Sequence, residues 1–377
     1  MEITIIIIIL LYLFLIGVFV IGFDKVKEYR LRDLAPKTTF TVVIPFRNEA
    51  ENLPKLIASL LNLNYPKDLF EILLVNDDSE DQSVDIIQKH LSQNKSNRLF
   101  IKIIDNQRLT KSPKKDAITT AVTQAKHEWI LTTDADCTVP NYWLDSFDNY
   151  IQDHSLKMLA GPVTYNSNNR LFNAFQTLDF LSLIGATIGA FGIRKPFLCN
   201  GANLAYKKDF FTSLNGFEGN SNIASGDDIF LMEKALKEDK NAVHFLKSEQ
   251  AIVNTAPQKN IKDLLSQRIR WASKTRHYNN TFAKIVGLLV LIANASIVIS
   301  IVLTALGLFK TKTFAYLFFI KIAIDYLLLY KTSQFFNKQE ALKHYVWSCF
   351  IYPFFSVYVA FIALFTNYKW KGRSFKK

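Results

Sequence analysis

Asp134-Ala135-Asp136 directly follows an apolar run, Trp129-Ile130-Leu131-Thr132-Thr133. Alternate residues of an extended chain face the same side. The two carboxylates therefore form a hard oxygen pair suited to Mg2+ or Mn2+, ions that keep waters and bridge to substrate phosphates; an ordinary acidic turn at a strand end has the same spacing. Asn76-Asp77-Asp78-Ser79-Glu80-Asp81 follows a second apolar run. A carboxylate there can accept hydrogen bonds from a nucleobase or ribose, while Asp78, Ser79 and Asp81 equally suit a turn and helix N-cap. Gly226-Asp227-Asp228 opens a helical run from Ile229 to Leu236. Acids at a helix start are stabilised by the macrodipole; the sharper alternative makes Asp228 a general base for an acceptor hydroxyl. In Gln267-Arg268-Ile269-Arg270-Trp271 the arginine forks match phosphate oxygens and the indole offers a stacking face. The same residues also make an interfacial basic-aromatic belt.

The elements that must hold these residues lie between 38 and 255. Thr39 to Ile44 reads as a strand ended by Pro45, Glu49 to Leu63 has helical spacing, and Phe70 to Val75 is a second strand followed by a helix over Gln82 to Leu91. Leu99 to Ile104, Lys114 to Lys126 and Trp129 to Thr133 continue as strand, helix and strand. Such alternation predicts an α/β fold with a mostly parallel sheet covered on both faces. Ligands of these sheets bind beyond the carboxyl ends of the strands. That rule singles out Pro45-Phe46-Arg47-Asn48-Glu49, Asn76-Asp77-Asp78 and Asp134-Ala135-Asp136, after the first, second and fourth strands.

Hydrophobic residues make up 49% of the chain, and their excess sits at its two ends. Residues 3–23 are long enough to span a bilayer. Only Met1 and Glu2 precede them, and Lys25, Lys27, Arg30 and Arg32 follow. This predicts an uncleaved anchor (1–23) with the next domain in the cytoplasm, at the cell (inner) membrane. Apolar stretches at 284–309, 313–330 and 345–366 predict further transmembrane segments over 284–366, preceded by an interfacial helix over 256–283. The basic tail, 367–377, argues for a cytoplasmic end. Three crossings after a cytoplasmic domain would leave that tail outside, so one stretch is expected to be re-entrant or interfacial. Lys321 and Asp325 make 313–330 the suspect, although four residues apart they can pair on one helical face. The net charge of +12 suits a membrane surface and phosphorylated ligands. No nucleic-acid-binding signature accompanies it. Cys137, Cys199 and Cys349 are too scattered for a disulfide framework or metal cluster.

Taken in order, these motifs resemble family 2 glycosyltransferases of the GT-A fold, in their membrane-bound branch. The resemblance rests on Val43-Ile44-Pro45-Phe46-Arg47-Asn48-Glu49, Val75 to Asp81, Thr133-Asp134-Ala135-Asp136 and Gln267-Arg268-Ile269-Arg270-Trp271. It covers residues 38 to about 280 and the flanking apolar segments. It implies that Asp77 contacts the nucleobase in a pocket lined by Pro45, Arg47 and Glu49. Asp134 and Asp136 would hold Mg2+ or Mn2+ at the donor diphosphate, with Lys114 nearby. Asp228, beside Asp227, would act as base in an inverting displacement. Gln267, Arg268, Arg270 and Trp271 would serve the diphosphate or the acceptor. Asn76 and Asp78 stand where the family more often has Asp and Gly, and Pro113 precedes Lys114 in place of glycine. Asn200-Gly201-Ala202-Asn203 resembles an acceptor-side loop.

The resemblance implies a nucleotide-sugar donor, UDP- or GDP-linked, and a lipid or saccharide acceptor, lipid-linked or otherwise apolar, beside the membrane. At most four apolar spans favour one transfer per encounter over polymer extrusion. A nucleotidyltransferase is the first rival, but the loop Pro45 to Ala50 has no glycine. A catalytically inactive membrane scaffold is the second; it has no need of Asp134, Asp136 and Asp228 together.

Overall fold

The computed structural model describes residues 2–93, 100–166, 168–223 and 225–365, and the backbone of 368–370 and 373–375. Leu99 and the side chains of the basic tail lie outside the described residues. Two compact units form: residues 27–164 with 198–256, and residues 1–26 with 165–197 and 257–377.

Helix α1 (Glu2–Lys25) opens the chain and belongs to the second unit. The α/β unit then runs β1 (Phe40–Phe46), α2 (Leu53–Leu61), β2 (Phe70–Asn76), α3 (Ser83–Gln93), β3 (Phe100–Asp105), α4 (Pro113–Gln124) and β4 (Trp129–Thr132). After β5 (Cys137–Thr138), α5 (Trp143–Asp153), β6 (Met158–Ala160) and β7 (Val163–Tyr165), the chain leaves through α6 (Leu171–Gly192). It returns at β8 (Leu204–Lys207), followed by α7 (Lys208–Ser213), α8 (Asp227–Glu238), β9 (Val243–Phe245) and β10 (Val253–Thr255).

The main sheet has the order β3-β2-β1-β4-β8-β6-β9, and β5-β10-β7 form a smaller one. Strands β1 to β4 are mutually parallel, whereas β8 runs antiparallel to β4 and β6. β1, β2 and β4 carry Val42, Ile44, Ile72, Leu74 and Ile130 fully buried, as expected of strands covered on both faces. The expected α/β architecture is therefore present. The helix expected from Glu49 begins only at Leu53, because residues 49–52 form a turn: Asn48 adopts φ +52° and Glu49 O accepts from Asn52 and Leu53 N–H.

The second unit holds α1, α6, α9 (Ile261–Ser273), α10 (Thr281–Ala305), α11 (Thr311–Phe335) and α12 (Tyr345–Phe365). By length and composition, α1, α6, α10, α11 and the segment ending in α12 are apolar enough to cross a membrane, one more than the four stretches expected. The addition is α6, inside the stretch 38–255 read from sequence as a single domain. Asn173, Gln176, Thr177, Asp179 and Ser182 interrupt its apolar pattern. Its mean hydropathy is 1.3, against 3.3 for α1.

Helix α6 cannot cross as a single span. The chain leaves the sheet at β7 and re-enters at β8, which is hydrogen-bonded to both β4 and β6. One passage through a bilayer would put those partners on opposite sides. α6 instead packs against α1 at close range, through glycines. A Cβ on Gly189 would fall 2.4 Å from the Phe19 carbonyl oxygen, and one on Gly192 1.8 Å from that of Gly22.

α1 and α11 lie parallel. Thr313 donates to Glu2 (2.7 Å), Tyr12 to Asp325 (2.6 Å), and Lys331 to Asp24 (2.9 Å), in matching order along both helices. The suspect stretch 313–330 thus lies within an unbroken helix. Its charges are met inside the bundle: Lys321 pairs with Asp325 at 2.7 Å and lies 5.2 Å from the Tyr12 ring. The cost of unpaired charge in an apolar medium, which made this stretch suspect, is met by these partners.

Gly189→Ala is expected to lower stability by about 1–3 kcal/mol through overpacking. Gly287→Ala on α10, where a Cβ meets nothing within 4 Å, should be neutral or stabilising. Thermal unfolding of the two variants in detergent makes the comparison.

Candidate active site

The carboxyl ends of β2, β1 and β4 lie side by side, because Val43 registers with Leu73 on one flank and Thr132 on the other. The three loops singled out by sequence therefore leave the sheet at one edge.

Asp134 and Asp136 flank Ala135, which is buried while both acids are half-buried. The turn is closed by Cys137 N–H donating to the Asp134 carbonyl at 3.1 Å. Burial raises the Cys137 thiol pKa, and Asp136 and Asp134 push the same way. It stays a neutral thiol, lying 3.6 Å from Asp136 Oδ1 as a weak donor.

Lys114, in the first turn of α4, reaches Asp134 Oδ1 at 2.6 Å and Asp227 Oδ2 at 3.3 Å. Burial lowers the pKa of this ammonium, but Asp134 and Asp227 outweigh it and the net direction is up. Asp227 is buried at the start of α8. Its neighbour Asp228 is half-buried, and its Oδ2 accepts the Gly201 N–H at 3.0 Å. The Gly201 carbonyl in turn accepts from Thr132 Oγ at 2.7 Å, so β4 fixes both the acidic turn and the loop that steadies Asp228. A Cβ at Gly201 would lie 2.9 Å from Asp227 Oδ2, which suits glycine to this position. The Asn200 side chain caps the 3-10 turn Gly201–Asn203. Asn203 is wholly buried: it accepts from Trp143 Nε1 and donates to the carbonyls of Pro162 and Ala251.

At the end of β2, Asp77 is 6% exposed and accepts from Asn106 Nδ2 at 2.6 Å and from Arg108 at 3.4 Å. Arg47 reaches across from β1 to the Asp77 carbonyl (2.8 Å) and to Glu80 (2.6 Å). Asp78 takes φ +60°, a left-handed conformation where the family more often has glycine. Glu49 accepts from Asn52 at 2.6 Å, and Asp81 caps α3 by accepting the Ser83 N–H. Pro45 lies within β1. Asn106 and Arg108 went unmarked in the sequence, although Asn106 directly follows β3 and the strand-end rule that found the other loops applies to it.

Gln267, Arg268, Arg270 and Trp271 all lie on α9, in the second unit. Arg268 is 5% exposed and ion-paired with Asp179.

Among the described residues no group of three or more His, Cys, Asp or Glu is placed to hold a metal. Asp134 and Asp136 supply two half-buried oxygen-donor side chains in one turn, in place of the extended run expected from sequence. That set fits Mg2+ or Mn2+ completed by water and a ligand's phosphates, and it does not fit a closed structural metal site.

Residues 129–366 match the model of glycosyl transferase family group 2, and residues 41–213 that of glycosyl transferase family 2. The chain belongs to glycosyl transferase family 2. It is similar to the poly-β-1,6-N-acetyl-D-glucosamine synthase of Staphylococcus aureus, with 26% identity over 149 residues, 38% of this chain and 33% of that protein. This family 2 chain thus spans about a third of the length of those curated relatives. Glycosyltransferase AglE of Haloferax volcanii is 22% identical over 232 residues, 61% of this chain and 70% of AglE. The mannosyltransferase PcManGT from Pyrobaculum calidifontis, solved with GDP-Man and Mn2+, shares the fold: the TM-score is 0.57 at 16% identity, over 93% of this chain and 99% of that one.

Lys114→Met should lower stability by about 1–3 kcal/mol, since Asp134 and Asp227 lose their counter-charge. A raised lysine pKa gives a contribution fully present below the ordinary value of 10.5 and lost only as pH rises through the folded value above it. Thermal unfolding from pH 6 to 9 should therefore show a constant gap between wild type and variant.

Proposed function

We propose that this protein is a membrane-bound inverting glycosyltransferase that moves one sugar from a UDP- or GDP-sugar to a lipid-linked or other apolar acceptor. The observation that carries the reading is Lys114, which joins the acidic turn after β4 to the acids opening α8. Donor-side and acceptor-side groups thereby meet within one cluster.

In this reading Asp77 receives the nucleobase, with Pro45 lining the pocket and Arg47 and Glu49 holding its loops. Asp134 and Asp136 hold the divalent ion, which when bound supplies positive charge to the departing diphosphate. Lys114 keeps Asp134 and Asp227 in place and offers its ammonium to the same phosphates. Asp228, steadied by the Gly201 N–H and less buried than Asp227, takes the acceptor hydroxyl proton as that oxygen attacks the anomeric carbon from the face opposite the leaving nucleotide. Gln267, Arg270 and Trp271 serve the diphosphate or the acceptor.

The helix contacts support a membrane topology for this reading. Basic residues after α1 put the α/β unit in the cytoplasm. α11 is parallel to α1, so α10 crosses outward and α11 returns. α12 is the segment that does not cross. His344, just before it, is 3.1 Å from the Asn169 carbonyl near β7, and at its far end Arg276, before α10, donates to the Leu364 carbonyl at 2.9 Å. The two ends of α12 are thus tied to the segments just after β7 and just before α10. Three crossings bring the basic tail back to the cytoplasm.

Nucleotide release from a panel of UDP- and GDP-sugars, with Mn2+ or with EDTA, tests the chemistry. One donor should be turned over with metal only, and Asp136→Ala should lose at least about a hundredfold in rate. Silence of the wild type across the panel, with an apolar acceptor present, would sink the reading. For topology, a C-terminal reporter should score as cytoplasmic; an external score would make α12 a crossing helix.

A further inference from the structure

Helix α9 is anchored in an unusual way. Of its thirteen residues only Leu264 and Arg268 are buried, so one of its two anchors is a charged side chain. Arg268 Nε donates to Asp179 on α6 at 2.5 Å. Its Nη1 donates to Gln267 Oε1 and to the Tyr165 hydroxyl, the latter at 3.3 Å, and its guanidinium lies 4.3 Å from the Trp271 ring. Tyr165 also donates to Gln267 Oε1 at 3.3 Å. One turn earlier on α6, Gln176, wholly buried, clamps the strand leading into α9. It accepts from Gln258 N–H at 2.8 Å and donates to the Gln258 carbonyl at 3.1 Å.

A buried ion pair contributes little net stability over well-packed apolar residues of the same size; its attested use is to fix register. Here it fixes the rotation of α9. Gln267 adjoins Arg268 and Trp271 is four residues beyond Gln267, so both stand on the flank that Arg268 orients. The amide oxygen of Gln267 is held by two donors, which leaves its NH2 in one orientation.

We propose that α6 is the platform that positions α9, and that Asp179, Gln176 and Arg268 are positioning residues acting on Gln267 and Trp271. The proposal rests on the glycosyltransferase reading for what Gln267 and Trp271 do. It gives Arg268 a different task from Arg270: its charge is spent on Asp179 and Gln267.

The test uses the full chain in detergent and replaces the pair by apolar residues, Asp179→Leu with Arg268→Met, in wild-type and Gln267→Ala backgrounds. A positioning pair should keep the unfolding temperature near that of wild type while kcat for nucleotide release falls by about tenfold or more. In the Gln267→Ala background the same replacement should cost less than about twofold, because residues acting through one another are not additive. Wild-type kcat and KM in the folded variant, or an equal loss in both backgrounds, would overturn the proposal. Arg268→Lys keeps the charge against Asp179 and loses the fork, so it should fold and show the same kcat loss; wild-type kcat in it counts against the proposal if the double variant does not fold. If the wild type releases no nucleotide from any donor, the functional reading has failed, and Trp271 emission decides positioning without turnover. Taken as the difference from Trp271→Phe, it should shift when the pair is replaced, and an unchanged spectrum overturns the proposal.

Discussion

β8 pairs with β4 and β6, yet all of α6 separates it from them along the chain. The sheet must close on both sides of a 22-residue apolar helix, so that helix has to begin and end on the side of the bilayer where the sheet lies. Once α6 is denied a crossing, its apolar surface must be used in another way. One side meets α1 so closely that glycines replace side chains at Gly22, Gly189 and Gly192. Gly185 meets α11 at Leu328 and Thr332, and Asp179 and Gln176 take α9. The parallel run of α1 and α11 is built beside a helix that hydropathy alone would count as one more span.

Electrostatics sets a second constraint, at the edge of the sheet. Asp134, Asp227 and Asp228 gather near one lysine, Lys114. Lys114 offsets part of the repulsion in the resting fold, and backbone N–H groups at Gly201 and Ile229 take up Asp228. In the proposed reading, a divalent ion arriving with a donor diphosphate would add positive charge beside these acids.

The parts legible in the sequence were those with a local signature. Strands β1, β2 and β4 read as apolar runs because both of their faces are covered, and the acids after them followed from the strand-end rule. The left-handed Asp78 kept the loop after β2 closed without the usual glycine, because Arg47 holds the carbonyl of Asp77 and the side chain of Glu80. What stayed hidden depends on partners far away in sequence. Asn106 supports Asp77 from the end of β3, just after Asp105, and Asn203 was only one letter of a loop until Trp143, Pro162 and Ala251 closed on it. α6 was missed because its polar residues lowered its hydropathy, and those residues hold its neighbours.

The buried polar groups of the second unit make the same point from the energetic side. Lys321, Asp325 and Tyr12 join α11 to α1, and Asp179 and Arg268 join α6 to α9. Apolar side chains would hold these helices together as well, and lipid competes for apolar faces on equal terms, so packing alone leaves rotation and sliding weakly specified. A hydrogen-bonded contact between two helices, such as Arg268–Asp179 or Tyr12–Asp325, has one good geometry, and a slip of one residue breaks it and leaves a polar group unpaired in an apolar surrounding. Read as a membrane defect, Lys321 and Asp325 argued against a span. In the folded chain the two pair with each other within α11, and Asp325 accepts from Tyr12 of α1, so neither charge is left without a partner.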